Sequence, residues 1–315
     1  MIKFIKRTKL AYAIYNFFHK KQLVHNVPLY QKLGLKKKYY ASLSSKDFAA
    51  LPQNLSEKAA IPEQKLIACT LFSNISDAAK ESLLCFEEKG FAIIDHYLNA
   101  RQADAINTEI DALLEQGKIK LNERNKIMFA IHASNLLWDT GNHEDLKAVL
   151  SVLLGDKAIL FQSINFLTGS EQATHSDSIH MTTFPLGGLL GVWIALEDIT
   201  NENGPLHYYP GSHKLPYYLN GDYGNEGNVF FLGNKSYADY EDMIAERIKD
   251  QKLEKVKFFA KKGDLIIWHA NLFHGGDPHL NKDKTRKSMV FHYFNENAIC
   301  YHEISQRPAL IKQYR

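Results

Sequence analysis

The chain has 315 residues, of which 45% are apolar and 23% are charged, and its formal net charge is +3. This composition is that of a globular protein with enough apolar surface for a core, so it excludes global disorder. The sequence has no run of about 18 apolar residues, which excludes a membrane-spanning helix. Three widely spaced cysteines, Cys69, Cys85 and Cys300, indicate neither disulfides nor a thiolate zinc site and favour a cytoplasmic location.

Residues 1–46 form a basic amino-terminal arm with eleven Lys or Arg and no Asp or Glu, whereas residues 47–315 are mildly acidic. A helix in this arm has one apolar side, made of Ile5, Leu10, Ala13, Ile14 and Phe17. Such a pattern is typical of a segment that lies on a membrane surface, but packing on its own domain is the simpler explanation. The arm lacks the long apolar region and the cleavage site of a signal peptide, so we expect it to remain on the protein.

A helix–strand–helix unit follows the arm. Residues 76–88 predict a helix with Ser76 as its N-cap, and Gly90 ends it. The β-branched run at 91–95 predicts a short strand, and residues 100–116 predict a second helix with one apolar face. We interpret this unit as the helical amino-terminal part of the scaffold.

From residue 158 onward the sequence changes to short β-type runs separated by Gly, Pro and Asn turns. These runs are 159–166, 189–196, 204–209, 256–259, 265–268 and 288–294. They predict a mainly β fold with flanking helices, built on a double-stranded β-helix (a jelly-roll or cupin-like core), in one domain over residues 47–315.

The segment near residues 217–250 is a long insertion into this pattern. Insertions of this length often form lids over a site. We therefore expect its aromatic side chains to contact the substrate, namely Tyr217, Tyr218, Tyr223, Phe230 and Phe231.

A metal site is predicted by the tripeptide His175-Ser176-Asp177. Residues i and i+2 of a strand point to the same face, so one metal ion can bind both His175 and Asp177. The third ligand is expected to be His274, which is followed by two glycines, with His269 as the alternative. Two histidines and one carboxylate on one side of an iron ion leave positions open for other ligands.

The open positions suit a 2-oxo acid that binds through two atoms, together with O₂. The distal carboxylate of such a co-substrate requires a positive partner, and a guanidinium binds carboxylates with two parallel hydrogen bonds. Arg286 lies twelve residues beyond His274, on the next predicted strand, and is the candidate.

Residues 76–295 resemble the phytanoyl-CoA dioxygenase (PhyH) family of Fe(II)- and 2-oxoglutarate-dependent oxygenases. The motifs that carry the resemblance are HSD at 175–177, GVWIALED at 191–198, NGPL at 203–206, PGSH at 210–213, GD at 263–264, HGG at 274–276 and Arg286. The resemblance implies a jelly-roll core, Fe(II) on His175, Asp177 and His274, and 2-oxoglutarate bound by Arg286. It also implies hydroxylation of a small molecule, or of a lipid- or glycan-type biosynthetic intermediate, with release of succinate and CO₂.

Residues 161–165 resemble the ectoine hydroxylase branch of this family, which implies co-substrate contacts from Gln162 and Asn165, although their spacing here is three rather than four. The family often has a Ser two residues after the distal His, where this chain has Gly276. We therefore expect one of three side chains to complete the co-substrate site, namely Thr182, Thr183 or Trp193.

Several alternatives remain beside this interpretation. Asp177 disfavours halogenation, which requires a small residue at that position. His180, close to His175 in the sequence, suggests a zinc hydrolase site as one alternative. Ser212 beside His213 suggests a nucleophilic serine, but a serine that bonds the local backbone in a Pro-Gly turn is the better explanation. A catalytically silent binding protein, or the same iron chemistry giving desaturation, epimerisation or ring closure, stays open.

We expect a small-molecule substrate, of anionic character if the basic arm attracts it, and no nucleic-acid partner. We also expect a monomer or homodimer and a location in the cytoplasm or at the periphery of a membrane.

Overall fold

The computed structural model describes residues 7–51 and 60–312. Its helices flank a core of antiparallel strands. The α-helices of the described residues are α1 (Lys9–Phe18), α2 (Val27–Lys32), α3 (Glu63–Ile67), α4 (Thr70–Asn74), α5 (Asp77–Leu84), α6 (Phe86–Lys89), α7 (Ala100–Glu115), α8 (Asn135–Gly141), α9 (Glu144–Leu154) and α10 (Tyr237–Asp250). In this part of the chain no helix has both the length and the apolar character needed to span a bilayer.

The strands form one large sheet and two small ones. They are β1 (Phe91–Ile94), β2 (Lys126–Met128), β3 (Ala158–Phe166), β4 (Thr182–Phe184), β5 (Leu189–Ala195), β6 (Leu206–Tyr208), β7 (Val256–Phe258), β8 (Leu265–His269), β9 (His274–Gly276), β10 (Ser288–Asn295), β11 (Ile299–His302) and β12 (Arg307–Pro308). The large sheet has the order β1-β8-β5-β10-β3-β2, and the small sheets have the orders β12-β11-β4 and β7-β6-β9.

The two faces of the large sheet pack against different partners because successive side chains of a strand point to opposite sides. On one face Val192 of β5 and Phe291 of β10 belong to a core shared with the helices. On the other face Trp193 and Val290 pack against Leu206 and its neighbours from the small β7-β6-β9 sheet. The second face, enclosed between sheets, is the face that carries the polar site described below.

The helix–strand–helix unit begins close to where the sequence indicates. The Ser76 hydroxyl accepts a hydrogen bond from the amide of Ala79 at 3.2 Å and so caps α5. The predicted single helix is broken at Cys85 into α5 and α6, and Gly90 ends α6 with φ of +79°. A Cβ at Gly90 would lie 2.3 Å from the imidazole of His213, so a side chain there is excluded by space as well as by conformation.

The described part of the basic arm and the residues just after it pack on the body of the protein, where Leu29, Tyr30 and Leu43 share a buried cluster with Phe48. Phe48 stacks on Phe184 of β4, with ring centroids 4.3 Å apart and planes at 4°, and it also contacts Tyr301 of β11. The Ser45 hydroxyl donates a hydrogen bond to the buried Glu303 at 2.8 Å. Ile5 of the predicted apolar side lies outside the described residues.

No residue of the insertion at 217–250 lines the cavity described below, and its role as a lid with substrate contacts stays a prediction. Helix α10 packs through Tyr240 and Ile244 against Phe273, behind the segment that carries the predicted metal ligands. The Tyr240 hydroxyl accepts a hydrogen bond from the amide of Ser176 at 3.2 Å. Helix α10 of the insertion therefore supports the site from outside, because Tyr240 packs behind residues 175–177.

Candidate active site

His175 and His274 face each other because the backbone pairs them directly. Each residue donates its amide to the carbonyl of the other at 2.9 Å, in an isolated antiparallel bridge beside β9. Their imidazole centroids are 4.6 Å apart. With Asp177 they form a buried group whose candidate ligand atoms all lie within 4.8 Å of one another. Among the described residues, these three form the one group of His, Cys, Asp or Glu side chains whose ligand atoms lie close enough together to hold a metal ion.

The backbone also sets the tautomer of both histidines. His175 Nδ1 lies 2.9 Å from the carbonyl of Ala173, and His274 Nδ1 lies 2.9 Å from the carbonyl of Leu272. Each Nδ1–H therefore donates to a carbonyl, and each Nε2 keeps a lone pair directed at the centre of the group. This is the arrangement in which imidazoles bind a metal ion.

The two oxygens of Asp177 have different partners. Oδ1 lies 3.7 Å from His274 Nε2 and 3.9 Å from His175 Nε2, so it faces the centre of the group. Oδ2 accepts a hydrogen bond of 2.7 Å from the indole Nε1 of Trp268. A carboxylate held in this way offers one oxygen to a metal ion, because the other oxygen is occupied.

Gly191 makes room for that hydrogen bond. It lies opposite Trp268 in the register of β5 and β8. A Cβ at Gly191 would come within 2.4 Å of the indole. The GVW motif thus contributes to the site through the absence of a side chain, which leaves the Trp268 ring free to reach Asp177.

The protonation states of the group suit a cation. Burial, and after it the neighbouring His274, lowers the pKa of His175 to about 3, so this imidazole is neutral at physiological pH. Burial opposes ionisation of Asp177, but His274, His292 and His175 outweigh it and hold the pKa of Asp177 well below its usual value. A neutral imidazole and an ionised carboxylate are the forms that ligate metals.

Arg286 lies on the same inner face and has no carboxylate partner among the residues that the structure describes. It is 2% exposed, and its Nη1 donates to the Ser288 hydroxyl at 3.1 Å. The guanidinium lies over the rings of Trp193 and Phe166, at 5.1 and 5.9 Å from their centroids. Burial lowers the pKa of Arg286 to about 10, so the buried side chain keeps its charge at neutral pH.

A cavity of about 270 Å³ joins Arg286 to the His–Asp–His group. Gln162 from β3 and His292 from β10 line its wall, and His292 Nε2 lies 3.5 Å from Asp177 Oδ2. Asp177 is the one carboxylate in the described lining. The mouth carries the exposed Arg124 and the half-buried Lys126, so the cavity is basic.

A glutamine bridges the mouth and the group of candidate ligands. Gln172 Nε2 lies 3.1 Å from His175 Nε2, and Lys126 Nζ donates to Gln172 Oε1 at 2.7 Å. The amide therefore occupies the lone pair that a metal ion needs. Metal binding at His175 requires this hydrogen bond to break, which leaves Gln172 and Lys126 directed at the cavity.

Of the expected co-substrate residues, Gln162 and Trp193 line the cavity, whereas Asn165 and Thr182 do not. Asn165 lies three residues after Gln162, so its side chain points to the opposite face of β3, where it pairs in register with Met289 of the helix-facing core. Thr182 pairs with Tyr301 in the β4–β11 ladder and is not among the residues that line the cavity. The expectation for these two residues is corrected accordingly.

The other candidate residues have structural surroundings. His269 accepts a hydrogen bond from the amide of Asn271 at 3.1 Å and lies outside the cavity lining. The Ser212 hydroxyl donates to the carbonyl of Tyr209 at 2.7 Å in a buried turn. His180 lines the cavity, and its Nε2 is hydrogen-bonded to the Tyr237 hydroxyl at 2.9 Å, but it is not part of the three-residue group.

Several side chains of the site were not identified from the sequence, among them Arg124, Lys126 and Gln172 near the mouth of the cavity. His292 and Ser288 lie on β10 at even spacing from Arg286, so strand periodicity alone places all three on one face. His302 of β11 also lines the cavity, and no motif in the sequence indicates it. Sequence reasoning could have found His292 and Ser288 by extending the strand pattern beyond Arg286.

Comparison with known proteins identifies the family of the chain. The phytanoyl-CoA dioxygenase (PhyH) family model matches residues 86–288, more than half of the chain. Phytanoyl-CoA dioxygenase domain-containing protein 1 of Bos taurus is 25% identical over 265 residues, which cover 66% of this chain and 87% of that protein.

Solved structures show the same fold. The non-haem alpha-ketoglutarate-dependent carbocyclase SnoK from nogalamycin biosynthesis superposes with a TM-score of 0.58 at 18% identity, covering 74% of this chain and 88% of its own. EctD from S. alaskensis, crystallised with 2-oxoglutarate and 5-hydroxyectoine, gives a TM-score of 0.54 at 19% identity and covers 78% and 81%. The predicted jelly-roll core is confirmed. The chain belongs to the phytanoyl-CoA dioxygenase family, and its cofactors are those of that family, Fe(II), 2-oxoglutarate and O₂.

Proposed function

We propose that the protein hydroxylates a small molecule that carries an anionic group, with 2-oxoglutarate as co-substrate and with release of succinate and CO₂. The observation that carries this proposal is the buried Arg286, which pairs with no carboxylate of the described residues and shares one cavity with His175, Asp177 and His274. The bound iron would supply the activation of O₂. The chain's own residues hold the ligands, orient the co-substrate and admit the substrate.

Arg286 is suited to the distal carboxylate of 2-oxoglutarate. Burying an unpaired guanidinium is costly, and a carboxylate that arrives with the co-substrate offsets that cost. Arg286 Nε is buried and has no hydrogen-bond partner within residues 7–51 and 60–312, while Nη1 donates to Ser288 and the planar group lies over Trp193. The guanidinium is thus oriented before the carboxylate binds, and Nε remains available to donate to it.

The mouth of the cavity favours an anionic substrate. Arg124 forms no ion pair with a described carboxylate, and the Lys126 amine bonds the neutral amide of Gln172. Burial, and after it the charge of Arg124, lowers the pKa of Lys126, although Asp177 opposes the shift. A phosphate or carboxylate on the substrate would be a direct ionic partner for this amine, so we assign substrate positioning to Arg124, Lys126 and Gln172.

The residues that hold iron and 2-oxoglutarate do not determine which product the oxidation gives. The neighbours with this fold include a carbocyclase and the epimerase SnoN, besides EctD with its hydroxylated ligand. Hydroxylation is proposed here because it requires of the chain only a substrate held near the iron site. Ring closure and epimerisation also require a second group that directs the product. The complete set of ligands and Arg286 disfavours a silent binding protein.

The test is a screen of anionic small molecules with the iron-loaded protein, measured as succinate release and as incorporation of oxygen-18 from labelled O₂. We expect a substrate that raises succinate release and gains one labelled oxygen. Arg286→Gln should raise the KM for 2-oxoglutarate about a hundredfold, because a hydrogen-bonded charge pair contributes about 3 kcal/mol. Lys126→Met should raise the substrate KM and leave the slow turnover of 2-oxoglutarate without substrate unchanged.

Lys261→Met is the matched control, because this lysine is exposed and pairs with Asp198 away from the cavity. It should behave as the unaltered protein. A product that has lost two hydrogens and gained no labelled oxygen would show that the reaction is desaturation and not hydroxylation. Unchanged kinetics in Lys126→Met would contradict the proposal that the substrate is anionic.

A further inference from the structure

Helix α1 exposes its apolar side chains and buries a polar one. Leu10, Ile14, Phe17 and Phe18 are 66%, 51%, 45% and 77% exposed. Asn16 is 1% exposed, and its amide donates to the carbonyl of Tyr40 at 3.1 Å. A helix that only covers its own domain has the opposite arrangement, with the apolar stripe facing the core. In the described part of the chain the outward stripe is therefore mostly uncovered, although the Phe17 ring packs edge-on against Tyr40 with centroids 5.6 Å apart.

A loop of the insertion extends the same apolar surface. Val229 and Phe230 are 82% and 70% exposed. The loop is joined to the start of α1, because the amide of Lys9 donates to the carbonyl of Phe230 at 2.9 Å. The Asn228 side chain accepts hydrogen bonds from the amides of Phe230 and Phe231, both at 2.9 Å, which holds the tip of the loop in place. Six side chains form this docking face: Leu10, Ile14, Phe17, Phe18, Val229 and Phe230.

The surroundings of the docking face are basic. Residues 7–46 contain nine Lys or Arg, and two of them, Lys37 and Lys46, form ion pairs with described carboxylates, Asp47 and Glu226. No Asp or Glu occurs in residues 1–46. Burial, followed by the charge of Lys37, lowers the pKa of Lys9 at the start of α1.

We propose that the docking face binds an anionic lipid surface. Exposed Leu and Phe side chains on a short helix, with Lys side chains around them, are the features of a segment that lies at the boundary between head groups and acyl chains. Charge decides between this occupant and a second copy of the chain. Two copies would bring two basic surfaces together, whereas acidic head groups complement the unpaired lysines.

The docking face also has a structural connection to the cavity. The Arg307 guanidinium lies over the rings of Tyr12 and Tyr15 of α1, at 5.4 and 5.8 Å. Arg307 pairs in register with His302, which lines the cavity. The helix on the docking face and one wall of the cavity thus rest on the same β11–β12 hairpin. The lipid proposal does not depend on the proposed reaction.

The test is flotation of the full-length protein with vesicles of phosphatidylcholine alone or mixed with phosphatidylglycerol. We expect binding to the mixed vesicles to be at least about tenfold tighter than to the neutral ones, and to weaken in about 0.5 M NaCl because salt screens the attraction. Phe18→Asp combined with Phe230→Asp should weaken it about tenfold or more, through loss of buried apolar area.

Leu280→Asp is the matched control, because Leu280 is 64% exposed and lies outside the docking face. It should bind as the unaltered protein does. Thermal unfolding and turnover of 2-oxoglutarate without vesicles should be unchanged in all variants, which separates this proposal from the proposed reaction. Equal binding to neutral and acidic vesicles, or full binding by the double variant, would overturn the proposal. A dimer in sedimentation that the double variant dissociates would also overturn it and assign the face to a second copy.

Discussion

The hydrogen bond from Trp268 to Asp177 leads to a prediction about metal affinity. Trp268→Phe keeps the aromatic packing and removes the indole N–H, which donates to Oδ2 at 2.7 Å. The neighbouring His292 Nε2 lies 3.5 Å from the same oxygen, too far to replace the bond in full. The Asp177 carboxylate then loses its fixed orientation and can rotate, so Oδ1 is no longer held toward the metal site.

The expected size follows from the nature of the bond. A hydrogen bond to a buried charged group contributes about 1.5–3 kcal/mol, and loss of a partner that orients a metal ligand weakens metal binding about 10- to 100-fold. We expect Trp268→Phe to raise the Kd for Fe(II) by that factor. The assay is an anaerobic titration of the metal-free protein in competition with a chelator of known affinity.

Two further variants make the test specific. Gly191→Ala should have the same effect with Trp268 intact, because the added Cβ would lie within 2.4 Å of the indole and displace it. Trp193→Phe is the control, because Trp193 Nε1 is buried without a hydrogen-bond partner and its ring contacts Arg286 instead. An unchanged Fe(II) affinity in Trp268→Phe, or an equal loss in Trp193→Phe, would refute the reasoning.

Two other predictions concern stability. Burial, and then Lys255, lowers the pKa of His207 from 6.5 to about 4, so between these pH values the unfolded chain binds a proton that the folded chain does not. Stability should therefore fall by about 1–2 kcal/mol from about pH 7 to about pH 5 through this residue. Urea unfolding should show a smaller fall in His207→Gln, and an identical pH slope would contradict the prediction. Phe48→Ala should cost about 3–5 kcal/mol in the same assay, because it removes a 4% exposed ring stacked on Phe184; a loss below about 1 kcal/mol would show that residues 29–48 contribute little to the fold.

The meeting of His175, Asp177 and His274 was predictable because it depends on short-range rules. Strand geometry brings residues i and i+2 together, and the glycines after His274 indicate where the neighbouring strand passes. The structure brings all three into one group. The even spacing of Arg286, Ser288 and His292 follows the same rule, although only Arg286 was identified in advance.

The expectations that differ from the structure have two causes. In one case the alternation of side chains along a strand was not applied, and in the others tertiary contacts determine where a segment lies. A spacing of three between Gln162 and Asn165 places them on opposite faces of β3, and the sequence already contained that spacing. Nothing local to the insertion indicates that α10 packs behind Ser176 instead of over the cavity, because that choice depends on contacts with Phe273 and its neighbours. The position of His302 depends likewise on the pairing of β11 with β4.

The central claim is that one cavity holds iron and 2-oxoglutarate through His175, Asp177, His274 and Arg286. It is tested most directly by titrating the metal-free protein anaerobically with Fe(II) and then with 2-oxoglutarate, while recording the visible charge-transfer band of a chelated 2-oxo acid. We predict that the band appears, that His175→Ala and His274→Ala abolish it, and that Arg286→Ala shifts it to far higher 2-oxoglutarate concentrations. The absence of a band in the unaltered protein, or a band that survives all three substitutions, would contradict the claim.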